Sequence, residues 1–189
     1  IPSGELTNAP FVLAHALTGC QLILSTGMAT LSEVKTALEV IAFGLLQFTG
    51  KMLDSTPNNT AFSQAFNSEL GQQLLQEQVT LLHCSTEYPT PAQHVNLFAM
   101  DTLKHNFLLA VGYSDHSQGI TIPIAAVARG AQVIEKHFTL DRNLPGPDHQ
   151  ASLEPCELAA MVKAIRDVES AFGDGIKQPT ATECQNMVA

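Results

Sequence analysis

The residue types best suited to chemistry gather in one stretch, V-I-E-K-H-F-T-L followed by D-R-N-L-P-G-P-D-H, residues 133–149. Strand side chains alternate faces, so a strand over 133–140 puts Glu135, His137 and Thr139 on one face and Lys136, Phe138 and Leu140 on the other. A carboxylate and an imidazole side by side are expensive to bury without a task. The loop behind them adds Asp141, Arg142, Asp148 and His149 around a Pro-Gly-Pro turn. Upstream, G-Y-S-D-H (112–116) ends a second predicted strand, and residues 119–130 leave room for one helix. The spacing therefore predicts a β-α-β unit with a histidine near the end of each strand. His116 and His137 read as two metal ligands brought together by the fold. Imidazole suits Mn, Fe, Co or Zn, and two protein ligands leave positions open for water and substrate oxygens, as a catalytic Lewis acid requires. The competing reading is a pair of histidines hydrogen-bonded within a core; Ser114, Asp115 and Glu135 beside them weigh towards metal.

A second set is Ser3, Ser25 and Ser114, each at a predicted strand end beside Gly, Thr or Asp. Hydroxyls and backbone N–H groups at such points hold phosphate, although ordinary serine turn chemistry explains them equally well. Glu5 and Asp148 are candidates to orient substrate hydroxyls or carry protons, against a cap and a surface carboxylate. Tyr88, in the polar loop Ser85–Pro91, is placed to pack on a sugar; a turn tyrosine with a bonded hydroxyl is the alternative. His15, His83, His94 and His105 have no evident partners and read as structural or exposed. His149 follows Asp148 and has a route to substrate.

These residues need a scaffold that brings strand ends together, and the order of elements supplies one. Ile1–Glu5 reads as the end of a strand. Thr7-Asn8-Ala9-Pro10 starts a helix that Gly19 ends. Residues 21–25 form a strand, and Thr30 with Glu33 makes a capping box. The helix behind it buries Leu31, Val34, Leu38, Ile41, Ala42 and Leu45 at helical spacing. Residues 48–59 read as irregular and 61–78 as one helix. Strands follow at 79–84, 108–113 and 133–139, separated by helices at 97–104 and 120–129. Pro155 opens a closing helix that buries Leu158, Met161, Val162, Ile165 and Val168, and residues 177–183 read as a linker. Regular alternation predicts an α/β fold with a parallel sheet of five strands and covering helices. Polar residues gather behind each strand, where parallel sheets and barrels bind ligands. There is no G-x-G-x-x-G and no Walker A motif, which argues against nucleotide binding. A complete eight-stranded barrel takes roughly 250 residues, so five strands make only part of one.

With a formal net charge of −9 and nine Lys plus Arg, a basic nucleic-acid footprint is excluded. Cys20, Cys84, Cys156 and Cys184 are scattered without C-x-x-C and read as free thiols in a reducing, cytoplasmic compartment. No apolar run matches a membrane span or a signal peptide.

The motifs I-P-S-G-E, I-L-S-T-G-M, L-L-H-C-x-x-E-Y-P-T-P, G-Y-S-D-H and V-I-E-K-H-F-T-L-D-R-N-L-P-G-P-D-H resemble those of the sialic acid (N-acetylneuraminate) synthase family, bacterial type. They occur in family order over nearly the whole chain; only about residues 48–78 lack a signature. Legionaminate, pseudaminate and spore-coat polysaccharide synthases share much of the pattern. The resemblance implies a TIM (β/α)8 barrel followed by a small antifreeze-like domain. Residues 1–175 would be barrel strands four to eight, and 176–189 a linker towards that domain. The first three strands would lie before Ile1, with a catalytic Glu and phosphate-binding Lys residues. It further implies condensation of phosphoenolpyruvate with N-acetylmannosamine, giving sialic acid and phosphate, by a protein that is a homodimer at full length. His116 and His137 would hold Mn²⁺ or Mg²⁺, or Co²⁺, which polarises the sugar aldehyde for attack by the enol carbon. Water then adds to the oxocarbenium centre, and phosphate leaves by C–O cleavage. Ser3, Ser25 and Ser114 match phosphoenolpyruvate-binding positions, and Thr86 stands where relatives have Asn or Ser. Glu5, Tyr88 and Asp148 match sugar-contacting positions, and Glu135 a polar active-site position. An inactive fragment or metal-binding scaffold is the alternative for the chain alone. Open barrel strands expose two edges and apolar surface, so the isolated chain is expected to be poorly soluble or oligomeric.

Overall fold

The computed structural model describes residues 1–51 and 56–187. Strands β1 (Leu22–Ser25), β2 (Val79–Cys84), β3 (Ala110–Asp115) and β4 (Ile134–Lys136) form one sheet in the order β1-β2-β3-β4. Every pairing is parallel, so each connection is a crossover, and the strand order never reverses. Strand ends are therefore neighbours at one rim. Cys84 pairs with Ser114, and Ser114 with Glu135, which sets three polar side chains in a row across that rim.

Helices α1 (Ala9–Ala16), α2 (Leu31–Phe48), α3 (Asn59–Asn67) and α4 (Glu69–Gln78) lie before β2; α5 (Phe98–Phe107), α6 (Thr121–Ala128), α7 (Pro155–Ala171) and α8 (Ala181–Asn186) follow it. The α2 N-terminus carries the predicted capping box, with both Thr30 and Glu33 bonds formed. Its Leu38, Ile41 and Leu45 are fully buried, each contributing roughly 2 kcal/mol of apolar burial. They pack with Leu24, Leu81 and Tyr113, which point from the sheet into the same core.

Several predicted bounds shift. The expected fifth strand is a paired edge only at Ile1, whose backbone bonds Ile23 and Ser25; Ser3–Glu5 is a 3-10 turn. The irregular stretch begins later than predicted, since α2 runs through Phe48, and Asp54 and Ser55 of the predicted loop lie outside the described residues. The helix predicted over 61–78 is two, because Ser68 takes an extended conformation and caps α4 through Gly71 N–H. The last strand stops at Lys136; His137–Thr139 instead bond Leu153. The predicted linker contains α8, started by a Thr180–Glu183 capping box. On α7 only Met161 is buried and Val162 is 44% exposed, while Leu158, Ile165 and Val168 are half-buried. No described helix is long and apolar enough to cross a membrane.

Candidate active site

A cleft of about 600 Å³ opens at the carboxyl ends of the strands. Eight of the ten side chains singled out from the sequence line it: Ser3, Ser25, Thr86, Tyr88, Ser114, His116, Glu135 and His137. The alternation of β3 and β4 explains the last four. Ser114 and His116 face the cleft with Asp115 behind them, and Glu135 and His137 face it with Lys136 behind.

The two imidazoles sit just past the last paired residues of β3 and β4, with ring centroids 5.4 Å apart. His116 Nδ1 lies 2.6 Å from the Ser85 carbonyl. A carbonyl only accepts, so Nδ1 carries the proton and Nε2 keeps its lone pair, the state in which imidazole binds a metal. Burial holds the His116 pKa below the ordinary imidazole value, and His137 lowers it further, against the Ser85 bond that raises it. Tyr88 stacks on His116 at 4.2 Å and meets the His137 ring at 5.7 Å. Its phenol is pushed up by burial, then by Cys84, Asp148 and Glu135. Among the described residues, no group of three or more His, Cys, Asp and Glu is arranged to hold a metal ion.

Hydroxyls line the same cleft. Ser114 is buried and donates to Glu135 Oε1 at 2.7 Å, leaving Glu135 itself open to the cleft. Ser3 Oγ accepts from Gly27 N–H at 3.0 Å and sits 3.2 Å from Cys84 Sγ. A Cβ on Gly27 would stand 2.9 Å from Ser3 Oγ and 3.0 Å from Cys84 Sγ, so any larger residue there would push these side chains.

Glu5 and Asp148 are not brought to the cleft wall. Glu5 Oε2 accepts from Asn8 Nδ2 at 2.7 Å beside the start of α1, and Asp148 is exposed in the loop before a 3-10 turn. Of the remaining histidines, His83 bonds the Val95 carbonyl and His94 pairs with Glu87. His149 bonds Thr139 Oγ1 at 2.7 Å.

Two features escaped the sequence reading. Cys84 enters the cleft, as the polar end of L-L-H-C allowed. Behind the sheet, Lys136 Nζ lies 2.5 Å from Asp115 Oδ2, with the two side chains 3% and 0% exposed. Alternation put Lys136 on the far face, but only the β3–β4 register supplies its partner.

The NeuB family model matches residues 1–177. The N,N'-diacetyllegionaminic acid synthase of Campylobacter jejuni is 48% identical over 187 residues, 99% of this chain and 48% of that protein. Human N-acetylneuraminate-9-phosphate synthase is 33% identical over 179 residues, 94% of this chain and 41% of that protein. The crystal structure of N-acetylneuraminic acid synthetase from Leptospira borgpetersenii, in complex with citrate, matches with a TM-score of 0.72 at 35% identity. That match covers 97% of this chain and 54% of that one. The parallel sheet curls into a half-barrel that is similar to the matched part of that structure. The chain spans about half the length of the curated relatives it matches.

Proposed function

The chain belongs to the NeuB family, and from that membership we propose that it forms the metal-binding half of a nonulosonic acid synthase. The reaction is condensation of phosphoenolpyruvate with N-acetylmannosamine, giving sialic acid and phosphate. In this reading Ile1 and β1–β4 correspond to barrel strands four to eight. The observation that carries it is one cleft lined together by two imidazoles, three serines and a carboxylate.

His116 and His137 fit a divalent ion: His116 has its Nδ1 bonded and its Nε2 free, and imidazole donors suit Mn²⁺ or Co²⁺ better than Mg²⁺. Such an ion supplies a Lewis acid at the acceptor's carbonyl oxygen. Ser3, Ser25 and Thr86 bind the phosphate and carboxylate of the enolpyruvyl substrate through hydroxyl donors, and Ser114, whose own proton goes to Glu135, lines the same end of the cleft. Glu135, held by Ser114, takes the proton of the water that adds to the enolpyruvyl carbon. Tyr88 covers the imidazoles and packs on the sugar. Glu5 and Asp148 reach the sugar from the cleft's margin, Asp148 being near enough to act on Tyr88.

The names of two relatives, N,N'-diacetyllegionaminic acid synthases at 48% and 43% identity, favour a second acceptor, the diacetamido hexose that would yield that product. The test is phosphate and 2-keto acid release by the full-length protein with phosphoenolpyruvate, Mn²⁺ and each acceptor in turn. Activity with either acceptor, lost in His116→Ala and His137→Ala, supports the chemistry, and the preferred acceptor decides the sugar. Full turnover without a divalent ion, or in both variants, refutes the two-histidine site.

A further inference from the structure

We propose that Asp115 and Lys136 act as positioning residues, a pin behind the sheet that fixes the spacing of His116 and His137. The proposal rests on the two-histidine metal site proposed above.

Asp115 lies between Ser114 and His116, and Lys136 between Glu135 and His137. The paired ladder ends at these residues, because Asp115↔Lys136 is the last match of β3 and β4. Both histidines therefore stand one position beyond the last match, where the ladder no longer sets the distance between them. Two side-chain ties cross at that level. Ser114 bonds Glu135 on the cleft side, and Lys136 bonds Asp115 on the buried side.

The buried tie does more than join the strands. Lys136 Nζ also donates to the Ser117 carbonyl at 2.6 Å, and Asp115 Oδ1 accepts from Ser117 N–H at 3.0 Å and Ser117 Oγ at 2.7 Å. Residues 115 and 117, on either side of His116, are thus held by one another and by one ammonium group. His116 is the apex of a closed turn anchored to the residue before His137. A buried ion pair of this kind is no better for stability than well-packed apolar residues of similar volume. What apolar packing cannot reproduce is its directional grip on both strand ends.

The experiment is a titration of the full chain with Co²⁺, followed by its visible absorption, on three forms: wild type, the Asp115→Leu/Lys136→Met double variant, and Lys136→Arg. The double variant removes both charges and so avoids leaving one buried alone. Thermal unfolding is recorded without metal. The expected result is a double variant that folds with its unfolding temperature near wild type, but whose Co²⁺ affinity is at least about 10-fold weaker, the order of loss typical when residues that hold metal ligands in place are removed. Lys136→Arg keeps the ion pair but displaces the donor that reaches Ser117. A several-fold weaker affinity at unchanged unfolding temperature is expected, and it decides the matter should the double variant not fold. Wild-type affinity in either folded variant overturns the pin. Absence of Co²⁺ binding in the wild type overturns the two-histidine site and the pin together, a failure seen before any variant is measured.

Discussion

Tyr113→Phe should stabilise the protein. Tyr113 is fully buried on the core side of β3, and its hydroxyl has no hydrogen-bond partner. Burial pushes its pKa up, and the nearby Asp115 charge pushes the same way. Asp115 is close enough to act on the phenol, but its carboxylate bonds Ser117 and Lys136, and no group meets the Tyr113 hydroxyl with hydrogen-bond geometry. An unpaired buried hydroxyl costs about 1–3 kcal/mol of lost hydration, whereas the ring that fills the core is retained in phenylalanine. At the lower end of that range, removal of the oxygen gains about 1 kcal/mol. For a chain of this size that is a rise in melting temperature of roughly 2–4 °C. In urea, with a slope of roughly 2 kcal/mol/M, the midpoint moves up by about 0.5 M. Turnover should not change, since the side chain points away from the cleft. A loss of 1 kcal/mol or more would refute the reasoning, because it would mean that the hydroxyl is bonded in the folded protein.

Glu135→Gln keeps an acceptor for Ser114 but removes the charge, so kcat should fall by about 10²–10⁴ with the melting temperature unchanged; an undiminished kcat removes Glu135 from proton transfer. Gly27→Ala forces its Cβ against Ser3 and Cys84, and overpacking of this kind costs about 1–3 kcal/mol. A raised KM for phosphoenolpyruvate should accompany that loss, and an unchanged KM would show that Ser3 does not touch this substrate. Burial lowers the His83 pKa from 6.5, against the Val95 bond that raises it. Below the ordinary imidazole range the unfolded chain binds the proton more readily. The stability held by neutral His83 is therefore complete above about pH 6.5 and is lost as pH falls through the depressed folded value. Urea midpoints of wild type and His83→Asn between pH 7 and pH 5 should converge, and parallel curves would contradict this.

Much of the scaffold was legible because local signals and periodicity agreed. Val79–Cys84 is a strand with the predicted bounds, and Thr30 with Glu33 starts α2 as read. The cleft side chains were legible for a related reason: strand ends of a parallel sheet meet at one rim, so polar residues behind each strand become neighbours. What was not legible depends on tertiary register. The partner of Lys136 follows from the pairing of β3 with β4, which no spacing within one strand reveals. Other misses were signals left unused. Ser68 ahead of Glu69, and Thr180 three residues before Glu183, are both helix starts in a stretch read respectively as continuous helix and as linker. The α7 stripe was identified by its period, but period tells which face is apolar, not whether anything covers it.

The backbone of His116 has a consequence for engineering. Thr90 N–H donates to the His116 carbonyl at 2.9 Å, while His116 Nδ1 reaches back to the Ser85 carbonyl. Both ends of the segment that carries Thr86 and Tyr88 are thus tied to the histidine of the neighbouring strand. That segment is not an interchangeable module. Transplanting residues 85–91 from a relative to redirect sugar choice would also reset the orientation of an imidazole at the end of the next strand. In the proposed synthase, sugar choice and the two-histidine site would then have to be optimised together, with the loop and His116 treated as a single inherited unit.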